Sequence, residues 1–412
     1  MRDPACEGIR AESTEARMGG RQVKLLDGVR ILDLSRLLPG PYCTRLLADL
    51  GAEVIKVEEP TRGDYIRSLA PFENGVSIAF ELLNRGKKSI ALNLETTHGK
   101  DILQELAAEA DVLLESYRPG TAKKLGCDFE SIRKVNERIV YCSLTAFGQT
   151  GPYKDLPGHD INCIALSGFL SLNGRDEPVV PALQVGDLAG GMLAALAIMT
   201  ALFARQKRNE AQYIDVSMLD ALLSWLILPL ALHMGGNASM LAGELPFYRL
   251  YRTLDSRSLA LGAIEPQFWE ELCRLIKRPD LVPDQYSSGD RRKEVVAAVQ
   301  SALATKTSQE WFHLMREHSL PCTPFLTLDD VIEDPHVRQR HMLLKKDETG
   351  SRVHYVGNPC KIAGLDEVEL MSSPELGQHS TELLKEIGYS QDQIRSLIET
   401  GVLQQSPAKR SH

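Results

Sequence analysis

The sequence lacks paired cysteines and any cysteine–histidine cluster with the spacing of a zinc site. Its eight cysteines are spread singly along 412 residues. Several lie in apolar runs, where a free thiol behaves as a small hydrophobic side chain. This pattern argues against a disulfide-rich secreted domain and a structural metal, and it predicts reduced cysteines in a cytoplasmic protein.

A basic excess and long apolar runs are also absent. The chain has 47 lysines and arginines against 55 acidic residues, a net charge of −8. A nucleic-acid partner is therefore not expected, and an anionic ligand would need a local basic patch. Two apolar segments, residues 188–203 and 221–232, fall short of the roughly 20 residues of a membrane span. We expect buried helices there and no membrane partner.

Two glycine motifs that bind phosphates are missing as well. No G-x-G-x-x-G follows the first predicted strand, and no G-x-x-x-x-G-K-S/T occurs. Dinucleotide and nucleoside-triphosphate binding are therefore weakly supported. Residues 1–24 are polar, mixed in charge and without an apolar run, which argues against a secretory signal. They are expected to be either a disordered leader or a start assigned too early, with Met18 as the initiator.

The first half of the chain alternates strand and helix patterns. Strands are predicted at residues 28–34, 53–58, 89–94, 111–115 and 139–144, with helices at 42–50, 97–109 and 129–135 between them. This order predicts an open, doubly wound, Rossmann-like parallel sheet in a large α/β domain over residues 25–244, ending in helices from 190 to 234. Ligands of such sheets gather beyond the carboxyl ends of the strands. The candidate segments are 37–41, 58–64, 93–97, 116–120 and 145–151.

The pattern changes after residue 244. A hairpin at 251–263, three helical segments and a short strand predict a smaller α+β domain over residues 245–345. Residues 346–412 become strand-like and then helical, and we expect them to return to the large domain.

Two short segments carry groups able to move a proton near neutral pH. Asp187 precedes Gly190 and Gly191 at the start of a long apolar helix. It is either a nucleophile or base beside backbone N–H groups of residues 187–191 that hold a developing anion, or an ordinary helix cap. His159 lies in a Pro-Gly-His-Asp loop and is either a general base or a loop histidine bonded to Asp160. Asp160 itself would orient the ring or cap the element that follows.

Two further positions are weaker candidates. Glu265 ends an apolar strand and precedes a proline, which is typical of a capping acid. Arg118 lies in a turn directly after a predicted strand, where a basic side chain could meet a phosphate.

The chain resembles the family III CoA-transferases (the CaiB/BaiF family), and its site motifs are most similar to the α-methylacyl-CoA racemases of that family. The resemblance covers about residues 25–400. Its landmarks lie in one order along the chain, at residues 32–41, 47–58, 84–90, 111–120, 148–152, 186–187 and 262–268.

The resemblance implies an interlocked homodimer of two-domain α/β subunits and a CoA thioester as ligand, with CoA as part of the substrate and no separate cofactor. Asp187 matches the family's catalytic aspartate, His159 the second base of the racemases, and Glu265 a site residue near it. Many transferases carry tyrosine in place of His159. The positions matching CoA contacts are Leu38, Leu92, Asn93, Leu94, Ser116, Tyr117, Arg118 and Lys124.

Two departures from the family pattern stand out. Glu59 occupies a position where both branches often carry an arginine near the CoA phosphates. Either another basic residue, with Arg62 as the candidate, takes that role, or phosphate binding is weaker. The stretch 63–80 is long, as in many transferases.

Three functions follow from the resemblance. The first is a racemase or epimerase of 2-methylacyl-CoA or related thioesters, in which His159 and Asp187 flank the α-carbon. The second is a CoA-transferase that forms an acyl anhydride on Asp187. The third is a CoA-binding subunit without catalysis.

Overall fold

The computed structural model describes residues 24–172, 177–236, 242–346, 351, 353–363 and 370–406. The predicted leader, apart from Lys24, lies outside the described residues. The described part contains fourteen strands: β1 (Arg30–Asp33), β2 (Glu53–Glu58), β3 (Phe72–Glu73), β4 (Val76–Ser77), β5 (Lys88–Leu92), β6 (Val112–Glu115), β7 (Val140–Thr145), β8 (Gln212–Ser217), β9 (Tyr248–Arg252), β10 (Ser258–Gly262), β11 (Cys322–Pro324), β12 (Leu343–Leu344), β13 (Tyr355–Val356) and β14 (Leu403–Gln404).

Sixteen α-helices connect and cover these strands in the same described ranges. They are α1 (Pro39–Ala48), α2 (Ile78–Asn84), α3 (Thr97–Ala108), α4 (Thr121–Lys124), α5 (Phe129–Ile132), α6 (Asp160–Leu166), α7 (Val185–Arg208), α8 (Met218–Trp225), α9 (Ile227–Met234), α10 (Pro266–Leu275), α11 (Gly289–Leu303), α12 (Ser308–Glu317), α13 (Leu328–Glu333), α14 (Pro335–Gln339), α15 (Ser380–Glu386) and α16 (Gln391–Glu399).

Seven strands form the large sheet in the order β14-β5-β2-β1-β6-β7-β8. All neighbours are parallel except β14, which runs antiparallel to β5. The chain builds outward from β1 to β5 and then returns to β6 on the other side of β1. The loops after β1 and β6 therefore diverge at a topological switch point, where open α/β sheets bind ligands. The predicted parallel-sheet α/β fold is confirmed.

Helices cover both faces of this sheet. Successive residues of a strand point to opposite faces, so Leu32 of β1 packs with α3, α15 and α16, whereas Ile31 packs with α1, α7 and α8. Both side chains are fully buried. This two-sided core is what a doubly wound sheet requires.

Two strands of the sheet were not predicted, the two-residue β14 and the longer β8. Residues 212–217 fall within the span expected to hold only helices, but they form the edge strand β8 beside β7. Its last four residues, Ile-Asp-Val-Ser, alternate apolar and polar side chains at the period of a strand. Tyr213 stacks on Tyr141 of β7, with ring centroids 5.8 Å apart.

A second core lies in the later part of the chain. Buried residues from Leu245 to Cys322 pack together around the antiparallel sheet β9–β10–β11 and helices α10–α12. The C-terminal residues join the first core instead, since β14 pairs with β5 and Leu383 packs beneath the sheet. The domain boundaries at residues 244 and 345 stay predictions.

Helix α7 is longer than expected, with 24 residues, and by length and composition alone it could cross a membrane. In the structure it packs along α1, α8 and strand β7. Its glycines permit this close approach. A Cβ atom on Gly191 would lie 2.5 Å from the carbonyl oxygen of Pro39, and one on Gly190 would lie 2.9 Å from Cγ of Met218.

We therefore expect Gly191→Ala to destabilise the fold by about 1–3 kcal/mol, because the new methyl group must push α7 away from backbone atoms of α1. Urea denaturation measures the change. The control is Gly235→Ala at the end of α9, where φ is −84° and the nearest atoms to a Cβ are 3.6 and 3.7 Å away. An equal effect of both substitutions would contradict the close α1–α7 contact.

Candidate active site

A cavity of about 520 Å³ opens at the carboxyl end of the large sheet, at the switch point between β1 and β6. Its walls come from the loops after β1, β6 and β7, the loop before α6, and the first turns of α7 and α8. Two candidate proton-transfer groups, His159 and Asp187, line this one cavity. The structure thus brings together two residues that are 28 positions apart in the chain.

Asp187 is the third residue of α7 and is half-buried. Asp160 lies against the same helix end: its Oδ1 accepts hydrogen bonds from the N–H groups of Gly186 (2.6 Å) and Asp187 (3.2 Å). Burial, and then the negative charge of Asp160, raise the pKa of Asp187 to about 7. Asp187 can therefore both accept and release a proton near neutral pH.

The same contact overturns one expectation. Backbone N–H groups of residues 187–191 were predicted to hold a developing anion, but the amide of Asp187 already donates to Asp160, and that of Leu188 donates to Gln184 O at 3.1 Å. Residues 189–191 lie inside the helix, where their amides form helical hydrogen bonds. A carboxylate of the protein thus occupies the anion site of this helix end.

His159 is exposed and stands at the position preceding α6. Its backbone N–H donates to Oδ1 of Asn162 at 3.0 Å, which fixes the start of the helix. Gly158 before it lies against Phe147, where a Cβ would come within 2.8 Å of the ring. The loop before His159 is therefore held against the wall of the cavity, while its imidazole stays accessible.

Glu265 occupies the N-cap position of α10 and is exposed. It is not among the residues that line this cavity within one chain. The structure therefore places it at the N-cap position of α10 in the later core, where its side chain makes no capping hydrogen bond.

The residues matching CoA contacts divide into two groups. Ser116, Tyr117 and Arg118 line the cavity. The other five lie outside its lining: Leu38 packs near Phe80, Leu92 and Leu94 are buried in the first core, Asn93 is half-buried after β5, and Lys124 is exposed at the end of α4.

The buried carboxylate of Glu115 holds the loop that carries Ser116, Tyr117 and Arg118. Glu115, at the end of β6, accepts hydrogen bonds from the N–H of Tyr117 (2.6 Å) and from the hydroxyl of Ser143. Burial raises the pKa of Glu115 to about 7, with a smaller contribution from Asp215. Its hydrogen bond to Tyr117 fixes the first turn of the loop that carries Arg118.

Three basic side chains line the cavity, and only Arg118 was singled out from the sequence. The other two are Arg36, in the loop after β1 and directly before the turn at residues 37–38, and Lys154. Their presence supplies the local basic patch that an acidic protein needs for an anionic ligand. The signal for Arg36 was its place after a strand end, one residue before the segment 37–41.

The wall after β1 is held by buried charges. Leu37 has a φ of +63°, a left-handed conformation that costs a non-glycine residue of order 1–3 kcal/mol. Its N–H donates to Oδ1 of Asp64 at 3.0 Å, and the carboxylate of Asp64 pairs with Nζ of Lys56 at 2.9 Å. Asp64 and Lys56 are both buried. This pairing keeps the strained turn in place.

The chain is similar over most of its length to two kinds of enzyme. Residues 26–380 match the family model of CoA-transferase family III. A succinyl-CoA:glutarate CoA-transferase from Mus musculus is 34% identical, and an alpha-methylacyl-CoA racemase from Homo sapiens is 35% identical. Each alignment covers 94% of this chain, with 92% of the transferase and 99% of the racemase.

A solved structure agrees with these relatives. The crystal structure of a CAIB/BAIF family protein from Brucella suis matches with a TM-score of 0.78 at 27% identity, over 89% of this chain and 100% of that protein.

The raised pKa of Asp187 predicts a pH-dependent stability. Between its ordinary pKa of 3.8 and about 7, the folded protein keeps a proton that the unfolded chain releases. Wild-type stability should therefore fall with rising pH across this window, by at most about 1.4 kcal/mol per pH unit and less for a half-buried group. The stability of Asp187→Asn should not show this fall with rising pH.

Urea denaturation at pH 5 and pH 8 measures the difference between the two proteins. Asp220→Asn, at an exposed acid in the first turn of α8, controls for the removal of one charge. A constant stability difference between wild type and Asp187→Asn at the two pH values would contradict the raised pKa.

Proposed function

Because this chain belongs to CoA-transferase family III, we propose that it is a racemase or epimerase of 2-methylacyl-CoA or related thioesters, acting by 1,1-proton transfer. Its similarity to racemases and CoA-transferases alike makes it an enzyme of one of these two kinds. The observation that carries the racemase proposal is the common cavity of His159 and Asp187.

The proposed reaction needs two groups that exchange roles. One base removes the proton from the α-carbon, the C–H electron pair moves into the enolate of the thioester, and the other group delivers a proton to the opposite face. Asp187 suits this task, because a pKa of about 7 leaves both of its protonation states available near neutral pH. His159 suits it through its accessible imidazole.

The walls of the cavity support a thioester with an apolar acyl group. Leu144, Ala146, Phe147, Leu156 and Met218 line it together with the basic side chains. An apolar surface favours a branched or aromatic acyl chain, while Arg118 and its neighbours favour the anionic CoA moiety.

A CoA-transferase is the second candidate, because transferases are among the relatives at 31–34% identity. Asp187 would then attack the thioester carbonyl and expel CoA as thiolate, which leaves a mixed anhydride. The thiolate would attack the Asp187 carbonyl, release the first acid and form an enzyme–CoA thioester for the acceptor acid. His159 would have no bond to make or break.

We also propose a homodimer in the cytoplasm, without a membrane partner. Apolar side chains on α7 and α9 are exposed in the single chain, among them Phe203 (67%), Ile227 (77%) and Met234 (83%). Such a surface is typical of a subunit interface.

Deuterium uptake tests the racemase proposal. A single enantiomer of a 2-methylacyl-CoA, incubated in D₂O, should racemise and gain one α-deuterium. His159→Ala should slow uptake from the enantiomer that His159 deprotonates by about 10²–10⁴-fold. His98→Ala, at an exposed histidine on α3, is the matched control.

Hydroxylamine trapping separates the second candidate. A transferase would yield a hydroxamate modification of Asp187, visible by mass spectrometry, in wild type and in His159→Ala. Trapping without α-deuterium uptake across a panel of 2-methylacyl- and 2-arylacyl-CoA esters would replace the racemase proposal with the transferase.

A further inference from the structure

One basic side chain in the cavity has more hydrogen-bond donors than the protein uses. Arg36 lines the cavity and is half-buried. Its Nη1 donates to the hydroxyl of Tyr65 at 3.2 Å, and across the described residues no carboxylate oxygen comes within ion-pair distance of it. A guanidinium has five N–H donors. Most of its hydrogen-bonding capacity is therefore available to a ligand.

Two aromatic rings hold this guanidinium. Its Cζ lies 5.3 Å from the ring centroid of Tyr65 and 5.8 Å from that of Tyr117, so both rings are within range of a cation–π contact. Both tyrosines line the cavity as well. The side chain is thus positioned by packing before any ligand arrives.

The backbone of Arg36 is also fixed. Its N–H donates to the hydroxyl of Ser116 at 3.2 Å, which ties the loop after β1 to the loop after β6. The next residue is the strained Leu37, held by the buried carboxylate of Asp64. The fold therefore tolerates the strained backbone of Leu37, which keeps Arg36 at the switch point of the sheet.

The basic residue expected from the sequence does not take this place. Arg62 is exposed and absent from the lining of the cavity. Glu59 turns its carboxylate to its own loop and accepts hydrogen bonds from the N–H groups of Thr61 (2.9 Å) and Arg62 (2.8 Å). It acts on Arg36 only through its charge, from beyond ion-pair distance.

We infer that Arg36 is an anion-binding residue of this cavity and holds an oxyanion of the thioester substrate while His159 and Asp187 face its reacting carbon. The inference rests on the proposed acyl-CoA function. A planar guanidinium recognises phosphate and carboxylate alike. The oxyanion is therefore either a phosphate of the CoA moiety or a carboxylate at the far end of the acyl group.

Binding measurements on Arg36→Gln test this inference. Calorimetry with free CoA, a 2-methylacyl-CoA and its acyl-pantetheine analogue tests whether the bound oxyanion is a phosphate, since pantetheine has no phosphates. A comparison of succinyl-CoA with butyryl-CoA tests whether the bound oxyanion is a carboxylate of the acyl group. Loss of a charge-assisted hydrogen bond should weaken binding about 10- to 100-fold.

The two sources give different patterns. If Arg36 holds a phosphate, Arg36→Gln weakens free CoA and all CoA esters alike, leaves acyl-pantetheine unchanged, and raises KM while kcat at saturation stays within about threefold. If it holds a carboxylate, only succinyl-CoA loses affinity relative to butyryl-CoA. Arg36→Lys, which keeps the charge but not the planar fork, should bind between wild type and Arg36→Gln.

Two further variants keep the result interpretable. Lys134→Gln, at an exposed lysine after α5, controls for the loss of one positive charge. Arg62→Gln tests the competing expectation. Unchanged affinity of a folded Arg36→Gln for every ligand, or a loss in Arg62→Gln instead, would overturn the inference alone. No binding of CoA or its esters by wild type would overturn the proposed function and this inference with it.

Discussion

The candidate site depends on one contact, the carboxylate of Asp160 against the first-turn amides of α7. The oxygen Oδ1 bridges the N–H groups of Gly186 and Asp187, and Asp160 is itself the first residue of α6. The contact therefore links the starts of two helices, and with them His159 and Asp187. A negative charge at a helix N-terminus is stabilised by the helix dipole. The same charge adds to burial in raising the pKa of Asp187. One contact therefore both positions His159 and Asp187 and raises the pKa of Asp187.

The wall of the cavity formed by the loop after β1 depends on the buried charges of Asp33 in β1, Lys56 in β2 and Lys87 directly before β5. Lys87 donates to Asp33, Thr44 and Asn84 and to the carbonyl of Pro41, while Asp33 also accepts from Ser35. Burial raises the pKa of Asp33, but the charges of Lys56 and Lys87 outweigh it and hold that pKa well below its usual range. Buried ion pairs add little net stability, because desolvation offsets their attraction. Their effect here is geometric: they fix the turn that carries Arg36 and Leu37.

Local sequence patterns predicted most of the sheet and the edge where the site lies. The strand Glu53–Glu58 has the predicted bounds, because its apolar residues Val54, Ile55 and Val57 lie between two acidic residues that mark its ends. The edge strand β8 was missed because it follows α7 after a short connection and leads directly into α8, so its six residues had no loop on both sides to set them apart. The occupied amides of α7 were missed for another reason. They depend on a contact between residues 26 and 27 positions apart, which no local pattern encodes.

The occupied amides also bear on the choice between the two reactions. A nucleophilic carboxylate acts as an anion, and a helix N-terminus that stabilised Asp187 would favour that ionised form. Here the amides support Asp160 instead, and Asp187 is left half-buried beside a second negative charge. Its proton is therefore retained to about pH 7. General acid–base catalysis works best when the pKa lies near the working pH, because the group must both take up and release a proton in each cycle. The placement of Asp160 thus suits the proton transfer proposed for Asp187, and it does so without any contribution from His159.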